Sequence, residues 1–96
     1  LKGMCRLVLE AEEKAPGTVL ARDFLDRHTH NFEAFREDAL RTSWEEVETQ
    51  TGLPRSAVED AARVYLAGKS TIVCWAMGLT QHKHAVATIQ YIVNLL

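Results

Sequence analysis

The stretch Thr71-Ile72-Val73-Cys74-Trp75-Ala76 constrains this chain more than any other. It is a continuous run, rich in β-branched and aromatic residues and bounded by Gly68 and Gly78. Such a run predicts a strand buried on both faces, of the type found inside parallel sheets. A strand of that type needs a neighbour on each edge, because its backbone N–H and C=O groups otherwise stay unpaired. The rest of the sequence reads mostly as helix or turn, and the chain supplies no convincing neighbour. The expectation is an α/β fragment: predominantly helical, with one parallel-sheet-type strand at about 71–76 followed by a helix. The parent domain would be an open α/β sheet, with residues 1–96 a single partial domain excised from it.

Leu1, Met4, Leu7, Val8 and Ala11 recur at helical spacing. They predict a first helix over 2–14, ending before the turn signal Pro16-Gly17. Thr18-Val19-Leu20 reads as a short extended or loop segment. Phe24 and Leu25 mark a short helix ending near His28, and Phe32, Phe35 and Ala39 mark another reaching about Arg41. Ser43-Trp44-Glu45-Glu46 is a capping box, in which the Ser hydroxyl accepts from the Glu46 N–H and Glu46 reaches back. That helix turns Trp44 and Val47 inward and stops at Gly52, a left-handed C-cap. Pro54 suits the first turn of the next helix, whose buried stripe is Val58, Ala61, Ala62, Tyr65 and Leu66. After the strand, Met77-Gly78-Leu79-Thr80 is a loop. Thr80 caps a last helix from about Gln81 onward, with Ala85, Val86, Ile89, Ile92, Val93 and Leu96 on its inner side. The chain begins at Leu1 and closes on Leu95-Leu96 inside an apolar helical pattern with no Gly, Asn or Pro to end it, so both ends read as cut.

Ninety-six residues suffice for one small domain, and a hydrophobic content of 47% sets the chain apart from disordered sequences. The net charge is −2, with acids and bases interleaved and no basic stripe, which argues against a nucleic-acid or anionic-membrane partner. Residues 44–66 superficially resemble a helix-turn-helix DNA reader, but Glu59 and Asp60 beside Arg55 and Arg63 make a poor surface for phosphates. Cys5 and Cys74 lie far apart and outside any CxxC pair, so no zinc or iron–sulfur ligand set is visible, and Cys74 reads as a buried, reduced thiol. His28 with His30, and His82 with His84, are spaced two apart. On a helix such residues project about 200° from each other, so one ion is not held by both. Glu10, Glu12 and Glu13 with Lys14 read as a solvated helix face. No signal peptide or apolar run of transmembrane length is present, which makes a cytoplasmic setting the expectation; any signal on the parent's N-terminus would lie outside this chain.

The most informative stretch is the strand–loop–helix unit from Thr71 to Leu96. In open α/β sheets, ligands sit beyond the carboxyl ends of strands, where the following helix points its N-terminus. Gly78 lets a ligand approach the backbone closely, and Thr80 and Gln81 offer polar side chains at the rim. The alternative is a tight turn with no ligand, since the full GxGxxG is missing.

The segment Trp75-Ala76-Met77-Gly78-Leu79-Thr80-Gln81-His82, followed by Ile89, Ile92, Asn94 and Leu95-Leu96, resembles one shared by bis-molybdopterin guanine dinucleotide oxidoreductases, above all formate dehydrogenase alpha subunits and their relatives. The stretches Ala15-Pro16-Gly17-Thr18, Phe32-Glu33-Ala34-Phe35 and Thr42-Ser43-Trp44-Glu45 resemble the same branch. Many members carry glycine where this chain has Ala85. The resemblance implies that Met77, Gly78 and Gln81 lie beside the pterin–molybdenum region of the cofactor, with Thr80 at the following helix. It implies a parent that carries out two-electron chemistry on a small molecule, with a separate electron acceptor. Family members hold molybdenum through Cys, selenocysteine or Ser, and many carry a 4Fe-4S cluster near the N-terminus. Neither element falls on this chain, and Cys5 and Cys74 do not match those positions. The isolated chain is therefore expected to be inactive, to bind no cofactor tightly, to depend on the remainder of the parent chain, and to self-associate. The rival reading is a free-standing helical protein-interaction module with no enzymatic role, whose strand pairs with a partner or with itself.

Overall fold

Seven helices supply all the regular structure in the computed structural model, which describes residues 1–96. They are α1 (Lys2–Lys14), α2 (Arg22–His28), α3 (Phe32–Arg41), α4 (Trp44–Thr51), α5 (Arg55–Ala67), α6 (Met77–Thr80) and α7 (Ala85–Leu95). α1 is the hub, packed against α3, α4, α5 and α7. It buries Gly3, Cys5, Val8, Leu9 and Glu12. Gly3 is what lets α4 and α5 come close: a Cβ there would stand 3.1 Å from Val58 Cγ1 and 3.3 Å from Val47 Cγ1. On its other side α1 sets Cys5 and Leu9 against Ala39, with Leu20, Phe32, Phe35, Tyr91 and Leu95 around them.

Local signals account for both ends of α4 and the start of α5. The Ser43 side chain accepts from the Glu46 N–H at 3.1 Å. Gly52 closes α4 at φ 69°, in the left-handed region. Pro54 stands at the N-cap of α5, one residue before its first turn. Ala61 and Leu66, read as buried, are exposed; the buried residues of α5 are Val58 and Ala62.

The predicted strand is absent, and with it the α/β fold class: residues 71–76 are neither helix nor strand, and the chain is all-helical. The physical reason is the one that made the run conspicuous. A strand exists through its ladder, and no second extended segment pairs with this one. The run is not buried either. Ile72 is 88% exposed, Trp75 is 42% exposed, and Cys74, read as a buried thiol, is exposed.

The last helix also differs from expectation. It starts at Ala85 rather than about Gln81, because Met77–Thr80 form their own turn, α6. Thr80 closes that turn instead of capping α7; its hydroxyl donates to the Ala76 carbonyl at 3.5 Å. α7 buries Ala85 and Ile92 and half-buries Tyr91 and Leu95, while Val86, Val93 and Leu96 face outward. The whole chain exposes 7067 Å². A self-contained monomer of 10.8 kDa exposes about 5,500 Å² by the usual scaling of surface with mass.

Candidate functional site

Met77, Gly78, Thr80 and Gln81 lie in one short turn, held by its backbone. The Ala76 carbonyl accepts from the Leu79 N–H at 3.0 Å and the Thr80 N–H at 3.2 Å. The Gln81 N–H donates to the Met77 carbonyl at 3.1 Å, and the His82 N–H donates to the Leu79 carbonyl at 3.2 Å. All four residues are exposed. A Cβ built on Gly78 would meet nothing within 4 Å, so a flat ring system has open access to the backbone there. Met77 adds an exposed thioether, and Thr80 and Gln81 add a hydroxyl and an amide. The turn therefore offers a patch that can touch part of a ligand. No sheet stands behind it, so the strand-end geometry expected for it is absent from this chain.

The reactive side chains do not converge. No group of three or more His, Cys, Asp or Glu residues comes together to hold a metal ion. Cys5 is buried, and burial pushes its thiol up to about 11, which leaves it protonated and unreactive at neutral pH. His28, His30, His82 and His84 are all exposed.

Three arrangements escaped the sequence reading. Glu12, taken for part of a solvated face, is 3% exposed. Its carboxylate accepts from the backbone N–H groups of Gly17 at 2.8 Å and of Val19 and Leu20 at 3.0 Å, and from Arg22 Nε at 3.2 Å. The only hint in the sequence is an acid just before a Pro-Gly turn. Second, Asp38 accepts from the Tyr91 hydroxyl and pairs with Lys2 Nζ at 3.0 Å, tying α1, α3 and α7 together. Those two partners, Tyr91 first, hold the Asp38 carboxyl below its ordinary range. Third, an apolar groove of about 590 Å³ opens between α2, the start of α3 and the end of α7. Its lining includes Phe24, Leu25, Phe32, Val93 and Leu96, with His28 at the edge. Sequence periodicity marks these as apolar positions but does not say that some stay uncovered.

Three known proteins place the chain in context. An uncharacterized oxidoreductase of Mycobacterium tuberculosis is 44% identical over 94 residues, which is 98% of this chain and 12% of that protein. Protein YdeP of Escherichia coli is 37% identical over 100 residues, spanning 100% of this chain and 13% of its own length. Formate dehydrogenase H of Escherichia coli is 35% identical over 72 residues, 75% of this chain and 10% of that protein. No family model matches the chain, and no solved structure matches it. The chain is thus related to a segment of oxidoreductase proteins and spans 12% to 13% of the length of the first two relatives.

Proposed function

We propose that this chain is a segment of the catalytic subunit of a bis-molybdopterin guanine dinucleotide oxidoreductase of the formate dehydrogenase-like kind, and that its turn at Met77, Gly78, Thr80 and Gln81 forms one wall of the cofactor site. The observation that carries the reading is the 44% identity to a protein named as an oxidoreductase across 98% of this chain. The match to formate dehydrogenase H over 72 residues adds support for an oxidoreductase parent, and the subfamily is part of the proposal. The turn fits such a group in three respects. It is exposed, Gly78 leaves the backbone open to a planar heterocycle, and the Gln81 amide can both donate to and accept from a pterin edge.

When bound, the cofactor supplies two-electron transfer at molybdenum. This chain's residues would bind and orient it: Met77 and Gly78 by packing, Thr80 and Gln81 by hydrogen bonds. Neither cysteine is assigned to the metal, since Cys5 sits in the core and Cys74 lies in the irregular segment before the turn. The molybdenum ligand, any 4Fe-4S cluster, the small-molecule substrate site and the path to the electron acceptor belong to the remainder of the parent. The isolated chain is then a wall without a chamber and is not catalytic.

The test is Gln81→Ala in the full-length parent, with turnover and molybdenum content measured beside the unmodified enzyme. A hydrogen bond between an amide and a neutral pterin edge contributes about 0.5–1.5 kcal/mol, so turnover or cofactor retention should fall by about two- to tenfold. Unchanged values for both would reduce Gln81 to part of a connecting turn and withdraw the cofactor assignment.

A further inference from the structure

The turn from Met77 to Gln81 buries none of its residues, so its position depends on what holds it from behind. It packs on α7 and is joined to it by a run of backbone hydrogen bonds. The His82 N–H donates to the Leu79 carbonyl at 3.2 Å, the Ala85 N–H to the His82 carbonyl at 3.1 Å and the Thr88 N–H to the His84 carbonyl at 3.0 Å. Whatever fixes the rotation of α7 about its own axis therefore fixes where the turn stands.

α7 offers two apolar faces one residue out of step. Ala85, Thr88, Ile92 and Leu95 form the face turned inward; Val86, Ile89, Val93 and Leu96 form the next, about 100° round the helix. The second face is the more apolar, since it has large aliphatic side chains where the first has Ala85 and Thr88. Burial of apolar area alone would turn the second face inward. The structure does the reverse: Ile92 is 4% exposed and Val93 is 59% exposed. A directional contact opposes the apolar ordering. The Tyr91 hydroxyl donates to Oδ2 of Asp38 on α3, and Lys2 Nζ of α1 meets the same oxygen at 3.0 Å. The Tyr91 ring is held beside Phe35, with centroids 5.8 Å apart. Turning α7 by one residue would take Tyr91 off Asp38 and bring up Ile92, which has no donor. A hydrogen bond to an ionised acceptor is about twice as strong as a neutral one. Two other polar contacts, from the Tyr65 hydroxyl to the Leu95 carbonyl and from the Cys5 thiol to the Tyr91 carbonyl, end on backbone oxygens. Every residue of a helix presents such an oxygen, so these contacts do not single out a face.

We propose that Tyr91, through its hydroxyl on Asp38, is a positioning residue for the turn at Met77–Gln81: it selects the face of α7 that turns inward and so sets the direction in which Met77, Gly78, Thr80 and Gln81 are presented. The proposal rests on the reading of that turn as a wall of the cofactor site.

The experiment makes Tyr91→Phe in the full-length protein, which keeps the ring and removes only the hydroxyl. Asp38→Asn, which keeps the shape of the acceptor and removes its charge, is the second variant. Hydrogen–deuterium exchange, followed by mass spectrometry, should become about tenfold faster over residues 79–88 in both variants and stay unchanged in α1 and α5. Molybdenum content and formate turnover should fall by about two- to tenfold in Tyr91→Phe and fall less when the same change is made in a Gln81→Ala background, because both act through one turn. Unchanged exchange over 79–88 overturns the proposal, as does exchange that rises equally in every helix, which would make the contact a general stabiliser. Faster exchange confined to 79–88, with molybdenum and turnover intact in Tyr91→Phe but lowered in Gln81→Ala, also overturns it while the cofactor reading stands. If Gln81→Ala itself changes neither molybdenum nor turnover, the cofactor reading falls, and the exchange data alone show that Tyr91 sets the turn.

Discussion

Glu12 spends its negative charge inside the fold. Three backbone donors and the Arg22 guanidinium satisfy a carboxylate that is almost wholly covered, and they lower its pKa from an ordinary 4.5 to about 2. The first cause is the Gly17 N–H, followed by that of Leu20. Since the folded state holds this group ionised where the unfolded chain would protonate it, the unfolded state binds more protons between pH 4.5 and about 2. The stabilisation is fully present above pH 4.5 and is lost as pH falls towards 2. Glu12→Gln should lower stability at pH 7, because an amide oxygen accepts fewer and weaker bonds than a carboxylate and its NH₂ faces donors. It should also flatten the acid limb of the stability curve. Urea midpoints at pH 7 and pH 3 test both parts; equal losses on acidification in the two proteins would show that Glu12 does not hold the loop. The sequence could not reveal this arrangement. Whether an acid on an exposed-looking stripe is solvated depends on where the turn at Pro16-Gly17 sends the chain next, and helical spacing carries no record of that.

Helices were legible where their signals are local, and the contact of α1 with α4 and α5 shows what local signals leave out. Ser43, Gly52 and Pro54 mark boundaries within a few residues of themselves, and the structure places caps or helix ends at each. Gly3 carries no such signal, yet it sets the approach of three helices. Gly3→Leu would drive a branched side chain into the Val58 and Val47 methyl groups, where even a Cβ is tight. Overpacking of this sort costs about 1–3 kcal/mol, while leaving glycine returns about 1 kcal/mol in a helix interior and less at Gly3, the second residue of α1. The expected result is a lower unfolding temperature, measured by circular dichroism at 222 nm; an unchanged or higher value would mean that α4 and α5 shift freely away from α1. The run 71–76 failed as a strand for the opposite reason. Its residues have strand character, but a strand is completed by a partner, and the partner lies outside what composition can report. α7 misled in a third way. It is apolar nearly all round, so periodicity could not choose which of its faces turns inward, and Val86 and Val93 came out exposed where burial was expected. The four candidate site residues do share one turn, as their spacing requires, but the sheet that would have made that turn a strand-end site is missing from the chain.

At the scale of the whole molecule, the surface is too large for the mass. Only 12 of 96 residues are buried, which leaves too little core to hold the periphery firmly. The Cα radius of gyration is 13.6 Å, against about 12.5 Å for a compact domain of this length. Large apolar side chains are among the exposed residues: Ile72, Trp75 and Met77 before and within the turn, Val86 on α7, and Phe24, Val93 and Leu96 around the groove. A helix apolar on both faces is normally buried on both. The isolated chain should therefore associate in solution, burying these residues against other copies for want of the parent. Sedimentation velocity over a concentration series should give a weight-average mass rising above 10.8 kDa. Tryptophan emission should shift to the blue with the same midpoint, because Trp75, 42% exposed in the single chain, lies in the segment that has most to cover. The same samples should show no formate oxidation, since association covers apolar surface without creating the metal ligand set that the chain lacks. A mass that stays at one chain at all concentrations, with Trp75 emission unchanged, would mean that the exposed face is tolerated in water and that the apolar surface does not drive association.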